Sequence, residues 1–306
     1  MREAPVCVWQ SVNSLQLHGV DFSGADNGGL HKIRIASWKS PTEITVERAD
    51  RKMLVRMILE SAKSEQNHLW RIDAPVGLPI QTIRAHGIEE TWLASAQWSA
   101  KLGSPRAWRT KLREVSREEP RRKTDTEART PMAPMNLRVF KQTWTLMCEV
   151  LLPLHAAGIS ISPMAKTGSR TTVCEGCPSS VLQRLGWPAK GYKGEGVPPS
   201  RVRALIARRL EETGIPISKV MMQKIIEDTE GDLLDSIILL TPPVFTAFPA
   251  EAIMNLPEKS LPNTIFPNVV GRCFFRLCMN NPKAWRFLAH QVCIRANLRS
   301  GFWRIT

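Results

Sequence analysis

The chain lacks any run of 18 apolar residues, and its first ten residues, MREAPVCVWQ, lack the apolar centre of a secretion signal. Neither a membrane-spanning helix nor export is therefore expected, and the cytoplasm is the expected location. Also missing is an even, regularly spaced set of cysteines. The seven present are irregularly scattered, which argues against a disulfide framework and for reduced, core-filling thiols. Cys174-Glu-Gly-Cys177 alone has the spacing of a metal knuckle or redox pair. Zinc there would need Cys273, Cys278, His290 or Cys293 as well, so free core cysteines are the simpler reading. Acidic residues are absent from 259–306, which holds eight Lys and Arg. Of the formal net charge of +14, only +6 then belongs to the first 258 residues. A mildly basic body makes, by charge alone, a weak case for an anionic partner.

The 306 residues, 43% hydrophobic and 23% charged, are enough for a sizeable core and place the chain among globular proteins. Its organising stretch is His18-Gly-Val-Asp-Phe-Ser-Gly24. Leu15 to Val20 has the alternation of a strand, which delivers Asp21 to the strand's carboxyl end before a turn. A carboxylate at that mouth either caps its own turn or answers to a cation. The stretches 32–38 and 43–47 alternate with period two around Ser40-Pro41-Thr42 and complete a three-strand meander. Asp50 is the expected N-cap of a helix over about 51–62. His68 to Asp73 is a fourth strand, again ending in an aspartate before a Gly/Pro turn. Three strands, a helix and a fourth strand match the opening of an RNase H-like sheet, in which strand four returns beside strand one. Asp21 and Asp73 would then be neighbours.

Residues 80–158 read as a helical insertion. Arg106 to Arg129 mixes dense charges of both signs, as a solvated helix or loop does. Within it Arg121, Arg122 and Lys123 could follow a phosphate backbone. Asn136 is the expected cap of a helix whose apolar stripe is Leu137, Phe140, Trp144, Met147, Leu151 and Leu154, ended by Gly158. Arg138, Lys141 and Gln142 project near its start. Strands follow at 159–163 and 171–175, the second placing Glu175 before Gly-Cys-Pro, much as Asp21 and Asp73 are placed. A short helix at 179–185 and a Gly-rich loop with Tyr192 and Lys193 lead to a helix opened by Pro199-Ser200. Arg201, Arg203, Arg208 and Arg209 are expected on its polar side. In GDLLDSIILL, 231–240, Asp232 and Asp235 share a helix face. Asp232 suits a helix N-terminus, but Asp235 sits among Leu and Ile, where an unpaired carboxylate is costly.

GVDFSGA at 19–25, IDAPVGLP at 72–79, RKTD at 122–125 and NLRVFKQTW at 136–144 occur in order. The Glu175–Pro178 stretch, GYKGEG at 191–196 and GDLLDSIILL follow them. As an ordered set over about 15–245 they resemble the predicted nucleases with an RNase H-like fold grouped as domain of unknown function 429. The resemblance implies an α/β fold with an RNase H-like mixed sheet flanked by helices and interrupted by the insertion at 80–158. It also implies a metal-dependent nuclease site made of Asp21, Asp73, Glu175, Asp232 and Asp235. Oxygen-only ligands suit Mg²⁺ or Mn²⁺, and such a cluster can run two-metal phosphodiester hydrolysis. Asp21 would bridge the metals, Asp73 and Glu175 take one side, and Asp235 with Asp232 complete the other. Lys193 with Arg138 or Lys141 would neutralise phosphate charge on RNA, DNA or a hybrid.

Two other classes compete. A non-catalytic nucleic-acid-binding module could use the same groove. An actin-like or sugar-kinase-like protein would need a second glycine-rich phosphate loop and a duplicated domain, and neither is found in the sequence. The acid-free segment 259–306, with aromatics among its arginines, reads as a poorly packed tail. A nucleic-acid arm, a helical extension and a shifted reading frame are its alternatives.

Overall fold

The computed structural model describes residues 15–115 and 117–242. The tail at 259–306, with Cys273, Cys278, His290 and Cys293, lies outside the described residues. Six strands, β1 (Leu15–Asp21), β2 (Ile33–Ser40), β3 (Glu43–Ala49), β4 (Asn67–Asp73), β5 (Ser160–Ser162) and β6 (Thr171–Glu175), form one mixed sheet. Their order is β3-β2-β1-β4-β6-β5. The meander β1–β3 is antiparallel, and β4 returns parallel to β1, as the RNase H-like layout requires. β6 and β5 extend the parallel half. Helices flank the sheet, so the protein is α/β. Among the described residues, no helix is long and apolar enough to cross a membrane.

One sheet face carries Val20, Ile35, Trp70, Ile72 and Val173 into the main core. Helix α1 (Arg51–Ser61) covers it through Leu54 and Ile58, and its N-cap Asp50 accepts a bond from Met53 N at 2.7 Å. The segment 80–158 is helical as expected: α2 (Ile80–Ala85), α3 (Trp92–Lys101), α4 (Pro105–Val115) and α5 (Lys123–Glu127) precede a longer helical run. Its charge-dense part is not wholly solvated. Trp108 and Leu112 of α4 join Leu78, Ile83, Met135, Phe140 and Trp144 in a second core cluster.

The helix expected from Asn136 starts later. α6 is Phe140–Thr145, followed by a π-helical stretch Leu146–Leu151 and by α7 (Leu152–Ala156). Asn136 shapes the turn before it, accepting Arg138 N on its side chain at 3.0 Å. Leu137, outside the helix, is 67% exposed rather than in the stripe. The wide π turn re-phases the run, so that Leu146, Met147, Val150, Leu151 and Leu154 are all buried. The same stretch holds Glu149 at 2.6 Å from Arg51. Arg51 also donates to the carbonyls of Ser23 and Ala25, at 3.3 and 2.8 Å, which fixes the turn after Asp21.

The other sheet face is covered by α11 (Asp232–Ile238), with α8 (Pro178–Leu185), α9 (Val197–Glu212) and α10 (Lys219–Glu227) behind it. Gly19 permits this. A Cβ there would lie 2.1 Å from the Ser236 carbonyl oxygen, so only glycine lets α11 rest on β1. On α9, Arg201 and Arg208 are exposed as expected, but Arg203 is buried. Its guanidinium binds the carbonyls of Ile226, Tyr192 and Gly194 at 2.6–3.0 Å.

Candidate functional site

β1 and β4 are parallel neighbours in a register that sets Asp21 opposite Asp73. Partners in register point to the same sheet face, here the face of Gly19, on which α11 lies. The helix supplies Asp235 from above, 2% exposed. One oxygen from each of Asp21, Asp73 and Asp235 lies within 4.8 Å of the others, the arrangement that could hold a metal ion. Of the carboxylates expected to converge, Asp21, Asp73 and Asp235 come together.

Their partners differ. Asp235 Oδ1 accepts the Tyr192 hydroxyl at 2.7 Å, and Oδ2 faces the Lys193 ammonium at 2.7 Å. Among the described residues, no hydrogen bond offsets the burial of Asp21 or Asp73. Burial, then the charges of Asp232, Asp235 and Asp73, hold the Asp21 carboxyl well above the ordinary carboxylate range, and Lys193 only partly opposes them. Burial and Asp235 do the same to Asp73, with smaller contributions from Glu175 and Asp232. Asp235 is raised by burial but pulled back by Lys193 and Tyr192. Burial alone would lower the lysine, yet Asp235, Asp21 and Asp232 together raise it.

Asp232 does not cap its helix. Gly231 is the N-cap residue, and Asp228 Oδ2 accepts Leu233 N at 2.8 Å. The Asp232 side chain is 26% exposed, with one oxygen 3.9 Å from Lys193 Nζ, at the rim of the trio.

Glu175 departs from expectation. In the β4–β6 register it stands opposite Ile72, not Asp73. Its side chain leaves the sheet on the face of Ile72 and Val173, away from that of Asp21 and Asp73. There both its oxygens accept from the Arg122 guanidinium at 2.7 Å, and Val76 N donates to Oε2 at 3.0 Å. The four-carboxylate arrangement with Glu175 as a metal ligand is therefore replaced by a trio.

Arg122 departs with it. Expected along a phosphate backbone, it is buried, and its remaining donors grip Asp125 at 2.6 and 3.0 Å. Burial opposes its charge, but the two carboxylates more than compensate and raise its pKa. Its neighbours stay accessible: Arg121 donates to the carbonyls of Thr130 and Pro131, and Lys123 is 57% exposed, 3.7 Å from Glu127. Arg138 is exposed. Lys141 reaches Asp26 at 3.1 Å. Its segment packs on the turn after Asp21, where a Cβ on Gly24 would meet Gln142 N at 2.4 Å. Gln142 Nε2 donates to Phe22 O at 2.8 Å. Lys141 thus flanks the Asp21 turn.

Sequence reasoning gave no site role to Tyr192, Asp125 or Arg203. Tyr192 is the chain's single tyrosine, and Asp125 stands three residues after Arg122, the spacing of a capping box. Cys174 and Cys177 are free thiols raised by burial, the first to about 11. Neither belongs to a metal-sized group among the described residues.

No family model, curated protein or solved structure matches the chain.

Proposed function

We propose that the protein is a divalent-metal-dependent nuclease, hydrolysing phosphodiester bonds of RNA, DNA or a hybrid at Asp21, Asp73 and Asp235. The observation that carries this reading is the convergence of the three carboxylates, two of them half-buried without a hydrogen-bond donor among the described residues. Mutual repulsion of that kind is costly unless a cation relieves it. The donor set is all oxygen, which fits Mg²⁺ or Mn²⁺ and does not favour zinc. When bound, the cation would activate a water and stabilise the departing oxygen.

The chain's own residues supply the rest. Asp21 and Asp73 would hold the ion from the ends of β1 and β4, and Tyr192 fixes the rotamer of Asp235. Asp232 and Lys193 form the mouth. Lys193, at the cluster, would offset phosphate charge, and Arg138, Lys141, Arg121 and Lys123 would serve a bound strand in the same way. The unpaired thiols Cys148, Cys174 and Cys177 suit a reducing compartment, and we assign the protein to the cytoplasm.

The test is a panel of labelled RNA, DNA and hybrid substrates with Mg²⁺ or Mn²⁺, comparing wild type with Asp21→Asn, alongside calorimetric Mn²⁺ titration. Metal-dependent cleavage by wild type, lost in the variant, is expected. Nucleic-acid binding without Mn²⁺ binding would instead indicate a non-catalytic module, and nucleotide binding without cleavage a kinase-like protein.

A further inference from the structure

Asp235 is served by two donors of different kinds. Tyr192, 5% exposed, is a neutral donor locked in the interior, 2.7 Å from Oδ1. Lys193 is a cation whose side chain is 51% exposed, 2.7 Å from Oδ2 and 3.9 Å from Asp232. Its root is rigid. Arg203 holds the carbonyls on either side of it, of Tyr192 at 2.7 Å and Gly194 at 3.0 Å, and Gly194 N donates to Thr229 O at 2.7 Å. Beneath it lies Gly231, at φ +79°, where a Cβ would come 3.1 Å from Lys193 Cγ and 3.3 Å from the Tyr192 ring. The backbone is thus fixed, while the ammonium rides on four rotatable bonds at the solvent boundary.

We propose that Lys193 is a tethered counter-cation: its ammonium balances the acidic cluster at Asp235 until a divalent cation binds, and then swings to the mouth to meet a substrate phosphate. This rests on the metal reading above. The metal and the ammonium draw on the same negative charge, and two cations at one carboxylate repel each other. Tyr192, being neutral, stays and keeps Asp235 aimed. Half-exposure gives the lysine a path out that needs no backbone change.

Calorimetric Mn²⁺ titration and thermal unfolding, with and without Mn²⁺, of wild type and Lys193→Met test this. Loss of the competing charge should tighten Mn²⁺ binding by about tenfold, within the usual range of coupling between two ligands. The metal-free variant should melt lower, and Mn²⁺ should raise its midpoint more than that of wild type. Unchanged or weaker Mn²⁺ binding by the variant overturns the counter-cation role and leaves the metal reading standing. Binding by neither protein overturns the metal reading, and this inference with it. A second measurement avoids the variant: acetylation of Lys193 in wild type, followed by mass spectrometry. It should be slow without Mg²⁺ and faster in saturating Mg²⁺; equal rates would overturn the proposal.

Discussion

Replacing Arg122 by methionine separates the role the structure gives it from the one its sequence suggests. The side chain is 8% exposed and makes four charge-assisted hydrogen bonds, two to Asp125 and two to Glu175. Asp125 is 1% exposed, and without Arg122's side chain its carboxylate keeps, among the described residues, Arg122 N at 2.8 Å and the Thr130 hydroxyl at 3.2 Å. Glu175, at 25% exposure, can turn partly to water. Removing one partner of a buried ion pair typically costs 3–5 kcal/mol, and partial rehydration of Glu175 puts this case near the lower end, about 3 kcal/mol. For a domain of this size that is a fall in melting midpoint of roughly 6–12 °C. Arg122→Lys should recover little, because one ammonium cannot reproduce a planar fork on two carboxylates. Urea denaturation measures the cost, and Mn²⁺ calorimetry should show the trio still binding. A phosphate-contacting arginine behaves oppositely: stability holds, nucleic-acid affinity drops, and the salt slope falls by about one. A loss of stability under about 1 kcal/mol with that pattern would refute the clamp.

Asp21→Asn should abolish Mn²⁺ binding while raising metal-free stability by about 1 kcal/mol, because it removes a repelled carboxylate; a variant that melts lower and binds Mn²⁺ normally contradicts the site. Gly19→Ala should cost about 3 kcal/mol and weaken Mn²⁺ binding, since its Cβ would push α11 and Asp235 off β1; a wild-type melting curve would refute that. His18 is held down to about 3, first by burial, then by the charges of His68 and Lys39, while donating to or accepting from Ser37 at 2.8 Å. The unfolded chain therefore binds one proton more below the ordinary histidine value. This stabilisation is complete above about pH 6.5 and is lost as the pH falls towards 3, by about 2 kcal/mol between pH 7 and 5. Comparing urea unfolding of wild type and His18→Asn at both pH values isolates it from the carboxylates, which change in the opposite sense; equal pH dependence in the two proteins would count against it.

The parts of the fold that could be read in the sequence are those set by local period. Alternation located all six strands to within a few residues, and the meander-helix-strand order brought Asp73 beside Asp21. Asp235 was legible because a carboxylate among Leu234, Ile237 and Ile238 demands an explanation. What escaped depends on phase or on distant partners. Arg203 shows that some of it was in plain view. Its spacing from Ile206, Ala207 and Leu210 puts it on the buried stripe of α9, and its basic neighbours obscured this. Arg122 carried a capping-box spacing to Asp125, but nothing nearby in sequence announces Glu175, 53 residues away.

Glu175 is the instructive failure, because its local signal equals that of Asp21 and Asp73: an acid closing a strand, with glycine or proline soon after. Whether such an acid joins the trio depends on parity alone. β6 pairs with β4 so that Glu175 meets Ile72, and one residue of register moves every side chain of a strand to the opposite face. Parity is set by burial of Val173 beside Trp70 in the main core, where the alternative phase would bury Thr172 and Cys174 instead. The apolar content of a five-residue strand thus decides the fate of the carboxylate at its end. On the far face, Glu175 takes up Arg122 and Val76 N, tying α5 and the 74–79 loop to the carboxyl end of β6. Its charge still bears on Asp73. Glu175 thus stabilises the frame around the trio and leaves metal binding to the three acids whose parity agrees.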